Sequence, residues 1–142
     1  MIKNEEFIEK LRATDLRPTK QRLKICQILF NRDKTFHFTI NDLAKDIREK
    51  LNAKISLATV YNTVHAFKKK GYLKEISINS DKSYFDTNTS IHHHFYDEDT
   101  NELIDCNEND IGAINVKNNF TDKKINSIEV LIKIASDNQN QN

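Results

Sequence analysis

The run Ser56-Leu57-Ala58-Thr59-Val60-Tyr61-Asn62-Thr63-Val64-His65-Ala66-Phe67-Lys68-Lys69-Lys70-Gly71 has both ends of a helix written into it. Ser56 carries a hydroxyl suited to capping the first free amides of a helix over Leu57 to Lys70. Leu57, Val60, Val64 and Phe67 recur at three- and four-residue steps, which predicts one buried stripe. Three lysines stand at the negative end, and Gly71 suits the left-handed residue that stops the helix. With Leu57 and Val60 inward, Ala58, Thr59, Tyr61 and Asn62 face outward near the N-terminus. An Asn amide pairs bidentately with adenine, and a ring or methyl group touches the thymine methyl. That is the chemistry of a helix whose N-terminal end enters the major groove. The competing reading places Tyr61 at the edge of the core.

Upstream, residues 4–13 read as a short helix with Phe7, Ile8 and Leu11 on one side, broken by Leu16-Arg17-Pro18-Thr19. Thr19 and Thr39 cap two further helices, Lys20 to about Asn31 and Ile40 to Leu51. Downstream, Leu73 to Ile78 and Lys82 to Asp86 read as strands around the turn Asn79-Ser80-Asp81. Short helices followed by a hairpin are the layout of a winged helix-turn-helix, placed here at residues 1–87. Arg17, Lys20 and Arg22 are the candidate phosphate contacts. The alternative is any small α+β domain with an ordinary solvated basic face.

Charge supports a DNA partner. The 142 residues sum to +1, yet residues 1–74 hold 17 Lys and Arg against 8 Asp and Glu, a net of +9, and the remainder nets −8. A basic half of that size fits an anionic partner such as nucleic acid. No apolar run is long enough for a membrane span, and Met1 to Lys10 has acids and no apolar core of a secretory leader. Two cysteines, Cys26 and Cys106, make neither a disulfide framework nor a four-cysteine zinc site, so a reducing cytoplasm is expected. H-E-x-x-H, G-x-S-x-G and P-loop patterns are absent, which weakens a catalytic reading.

Residues 88–142 read differently. Glu102-Leu103-Ile104-Asp105 is a short strand, Asp110 to about Asn119 a weak helix, and Ile128 to Ile134 a strand of period two. A core of that size is too small to stand alone, so a second copy is expected to cover its edge and apolar face as a homodimer. Residues 137–142 are polar and expected to fray. His92-His93-His94 is internal; on extended backbone His92 and His94 share one side. With Asp86, Asp97, Glu98, Asp99, Glu102 and Asp105 nearby, a mixed N/O shell favours iron, manganese or zinc. Imidazoles also ligate haem iron, which makes His92, His93 and His94 haem candidates. The plain alternative is a polar His-rich loop.

Leu16-Arg17-Pro18-Thr19-Lys20-Gln21-Arg22, the SLATVY of Ser56 to Tyr61, and Tyr84-Phe85-Asp86 followed by His-x-His together resemble the ferric uptake regulator family over about residues 5–135. The resemblance implies a dimeric, metal-responsive regulator with an N-terminal winged helix and a C-terminal dimerisation domain. It implies a regulatory metal on His37, Asp86, His92, His94 and Asp105. A cation shared among them would fix the angle between the lobes, and in a dimer the spacing of two reading helices. Where most members carry Cys-x-x-Cys, Asp97 and Thr100 stand; a structural zinc held by four cysteines is excluded, and Gly112 and Asn126 stand where a second metal site has its ligands. Lost cysteines, the three-histidine run and Tyr61-Asn62-Thr63-Val64-His65-Ala66-Phe67 look like the iron response regulator branch. That branch would imply control of iron and haem metabolism genes and haem sensing, although no Cys-Pro haem motif is present.

The expectation is therefore an α+β chain: a winged helix-turn-helix domain at 1–87 and a small α/β dimerisation and effector-sensing domain at 88–142. It would bind an operator in duplex DNA as a cytoplasmic homodimer, with no membrane partner. It would regulate iron and haem homeostasis through haem or a divalent metal. A metal-activated repressor is the rival among regulators; a metal-binding enzyme or metal buffer is the rival from another class.

Overall fold

Three hydroxyl caps start three of the four helices. The structure, a computed structural model, describes residues 4–137. Helix α1 covers Asn4–Ala13, α2 Lys20–Phe30, α3 Ile40–Lys50 and α4 Leu57–Lys70. The Thr19 side chain accepts from the Arg22 amide at 3.2 Å, and that of Ser56 accepts from the Thr59 amide at 3.1 Å. Thr39 and Asp42 bond reciprocally in a capping box. Gly71 closes α4 in the left-handed conformation at φ 90°, with the three lysines in the preceding turn.

The strands of the first unit are β1 (His37–Phe38), β2 (Lys74–Asn79) and β3 (Lys82–Asp86), in the order β1-β3-β2, all antiparallel. The predicted hairpin is β2 and β3. β1 was not foreseen, because two residues are too few for a periodicity; its position is set by pairing, with His37 opposite Asp86 and Phe38 opposite Phe85. Phe7, Leu11, Ile25, Leu29, Leu43, Ile47, Val60, Val64, Phe67 and Phe85 fill one core. Four helices and this sheet are the winged helix-turn-helix arrangement.

Leu57 departs from the predicted stripe. It is 52% exposed, and Thr63 takes the fourth buried place on α4 beside Val60, Val64 and Phe67. Leu57 is the first helical residue and juts past the end of the core. Thr63 can be buried because its hydroxyl bonds to the Thr59 carbonyl at 2.7 Å.

The chain divides into two compact units, residues 1–89 and 90–142. In the second, β4 (His94–Asp97), β5 (Glu102–Asp105) and β6 (Leu131–Ile134) form a sheet in the order β5-β4-β6, with β4 antiparallel to β5 and parallel to β6. β5 falls where it was expected. β6 is shorter than 128–134, since the Val130 amide is spent on the His93 ring at 2.9 Å rather than on a strand carbonyl. The helix expected over Asp110 to Asn119 does not form; that stretch has no regular structure beyond a turn at its start. Gly112, three asparagines and β-branched Ile111, Ile114 and Val116 have low helix propensity, and ten such residues do not nucleate without a surface to bury against. The tail expected to fray lies outside the described residues, apart from Asp137.

Candidate metal centre and reading helix

β4 begins with the second of the two same-side histidines. His94 stands opposite Asp105 across the β4–β5 ladder, so the hairpin brings an imidazole and a carboxylate together. His94 Nε2 faces Asp105 Oδ1 at 3.1 Å, and His92 Nε2 faces the same oxygen at 3.5 Å. The two imidazole rings are 4.3 Å apart between centroids. One donor atom from each of the three residues lies within 4.8 Å of the others. His94 is buried and fixed in the strand; Asp105 is exposed and able to adjust. His92 Nδ1 bonds to the Ser90 carbonyl at 2.7 Å. A ring nitrogen facing a carbonyl is the donor of that bond, so Nε2 is the nitrogen of His92 turned to the cluster.

His93 is turned elsewhere, as alternation requires. Its Nδ1 accepts from the Val130 amide at 2.9 Å, and its own carbonyl accepts from the Cys106 amide at 2.9 Å. The three-histidine run therefore separates into a pair in the cluster and one residue that ties β6 to β4. In the first unit, His37 and Asp86 are register partners on β1 and β3. Asp86 is buried, and its Oδ1 accepts from the Asn88 amide at 2.8 Å.

Imidazole nitrogens and carboxylate oxygens fit a borderline divalent cation such as iron, manganese or zinc. The two thiols do not compete. Cys26 is sealed in the core of the first unit, and burial pushes its thiol up to about 12 against the opposing influence of Lys10. Cys106 is also raised, by partial burial and then by Asp110 and Asp105. Both stay protonated near neutral pH, whereas a metal takes the thiolate.

On α4, Ala58, Tyr61 and Asn62 are exposed and Thr59 is half-buried. Tyr61 is 51% exposed, not a core-edge ring. The Thr59 hydroxyl is engaged with that of Ser56 at 2.8 Å, so its methyl group is the part left to present. Arg17 and Lys20 are exposed, while Arg22 is half-buried and its guanidinium bonds to the Arg17 carbonyl at 3.0 Å. His65 is a further residue of this face, beyond those expected from the sequence. It is half-buried, one turn after Tyr61, and its ring stacks on that residue at 4.1 Å. The four-residue spacing of two rings was the available signal.

No helix among the described residues is long and apolar enough to cross a membrane. The chain is 35% identical over 101 residues to the peroxide operon regulator of Bacillus subtilis, covering 71% of this chain and 68% of that protein. It is 34% identical over 101 residues to the peroxide-responsive repressor PerR of Staphylococcus epidermidis, covering 71% and 65%. The alignments thus span about two thirds of these relatives. Among solved structures, the fold resembles the ferric uptake regulator of Vibrio cholerae, with TM-score 0.68 at 20% identity over 91% of this chain and 98% of that one. It also resembles the ferric uptake regulator from Pseudomonas aeruginosa with manganese, with TM-score 0.62 at 20% identity over 96% and 98%. The model of the ferric uptake regulator family matches residues 13–134. The chain belongs to that family, and it is a metal-responsive transcription regulator rather than an enzyme.

Proposed function

We propose that the chain is a sequence-specific duplex-DNA-binding regulator that acts as a homodimer in the cytoplasm and answers a divalent cation. His92, His94 and Asp105 are the heart of the proposed site, with His37 and Asp86 as further ligands. The observation that carries this reading is the convergence of two imidazoles and a carboxylate on one spot. When bound, the cation supplies positive charge shared by these donors. The chain's own part is to hold His94 rigid in β4, to orient His92 through the Ser90 carbonyl, and to offer Asp105 from an exposed strand end. Residues 1–87 are assigned to DNA and 88–142 to dimerisation and sensing. α4 is assigned to the major groove through Ala58, Thr59, Tyr61 and Asn62, with Arg17, Lys20 and Arg22 on phosphates. Exposed Ile91, Ile104, Ile114, Val116, Phe120, Ile125 and Ile134 in the second unit support a partner copy there.

Two signals compete within this reading. Iron status sensed through haem follows from the likeness to the iron response branch. Peroxide follows from the names of the relatives. The geometry favours a cation over haem: a carboxylate shares the place of the two imidazoles, and His93 is committed to the Val130 amide. The test is a mobility shift on a duplex that the protein selects from a random library. The protein is assayed metal-free, with manganese, iron or zinc, with haem, and with iron followed by hydrogen peroxide. The expected result is that a divalent ion changes affinity at least tenfold. His92→Ala with His94→Ala should remove that response while the fold is kept. A response to haem alone, untouched by the double substitution, would overturn the cation reading.

A further inference from the structure

We infer that His65 is a positioning residue for base reading: it clamps the Tyr61 ring in one orientation and anchors it, through Phe85, to the core of the winged-helix unit. This rests on the proposal that α4 enters the major groove. Tyr61 is exposed on the outer face of α4, where an unsupported ring would sample several rotamers. Instead it lies on the His65 ring with centroids 4.1 Å apart and planes at 39°. His65 meets the Phe85 ring edge-on at 5.3 Å and 81°. Phe85 is buried and stacks on Phe38 at 6.1 Å and 29°, and the two are register partners on β3 and β1. A column of four rings thus runs from solvent to core, all within the first unit. Its outer end is the residue whose ring would touch a thymine methyl, next to Asn62. A ring ordered before it meets DNA loses less freedom on binding, and it discriminates a methyl better than a mobile one.

The experiment uses the full chain and a duplex selected by the wild type from a random library. It adds the same duplex with every thymine replaced by uracil, and a scrambled duplex. The wild type is expected to bind the uracil duplex more weakly. His65→Ala and His65→Gln should each weaken binding to the selected duplex about three- to tenfold and flatten the preference for thymine over uracil. Both should bind the scrambled duplex as the wild type does and melt at a similar temperature. His65→Phe, which restores a ring, should restore the preference; a merely structural role would not need one. Tyr61→Ala separates the two levels. If it loses the preference while both His65 variants keep it, the positioning role is wrong and the reading helix stands. If Tyr61→Ala itself keeps the preference, or the wild type selects no duplex, the reading helix and the role of His65 fall together.

Discussion

The two thiols show how one residue type takes two fates from its surroundings. Cys26 is wholly enclosed by the first unit's core and its thiol is pushed up to about 12, whereas Cys106 is partly open beside Asp105. Iodoacetamide at pH 8 on the native protein is therefore expected to modify Cys106 alone, with Cys26 labelled only after denaturation. Peptide mass spectrometry reads the outcome, and rapid labelling of Cys26 in the folded protein would contradict the enclosed position. Asp99 offers a pH test. Its carboxylate accepts from the hydroxyl and amide of Ser136, the amide at 2.6 Å, and is held below its ordinary value by those bonds. A carboxyl depressed in the folded state contributes stability above the unfolded value, near 4, and loses it as pH falls through the folded one. The Ser136 amide resonance should thus move in a single acid step below the ordinary aspartate range, and Asp99→Asn should abolish that step.

At the scale of elements, helix ends were the most legible part of the sequence. Thr19, Thr39, Ser56 and Gly71 announced starts and a stop that the backbone then uses, since capping is local chemistry. Gly71 provides the measurement. A Cβ there would meet nothing within 4 Å, yet φ is +90°, so Gly71→Ala tests backbone strain without a clash. About 1 kcal/mol should be lost in urea denaturation. The misses are non-local. β1 exists because β3 offers a partner some fifty residues away. The helix expected at Asp110 had periodicity without a face to bury. β4 and β5 were nonetheless readable together: two four-residue runs, His94–Asp97 and Glu102–Asp105, flank the four residues 98–101. Taken as a pair they give the hairpin that sets Asp105 opposite His94. The histidine pair itself was legible as His-x-His, and the fate of His93 was not, because its partner is the amide of Val130.

For the molecule as a whole, the opposed charges of the two halves should appear in binding. The positive first half predicts that log affinity for duplex DNA falls linearly with log salt, each phosphate contact adding about 0.9 to the slope. Lys20→Ala and Arg17→Ala should each reduce that slope by about one while leaving sequence preference intact. Measured affinities that ignore salt would overturn the assignment. Sedimentation at micromolar concentration should give twice the mass of one 16.6 kDa chain. Among its described residues, the second unit buries only Tyr96, Leu103 and His94 well and leaves seven large apolar side chains in water.

The ring at the outer end of α4 also makes the protein its own optical probe. The chain contains no tryptophan and four tyrosines, of which Tyr84 and Tyr96 are buried and Tyr72 is partly so. Phenol emission is thus the native fluorescence, and Tyr61 is the emitter most open to quenching by stacked bases. If α4 docks on an operator as proposed, the dimming of that single side chain is the expected signal, and no dye is needed to follow it.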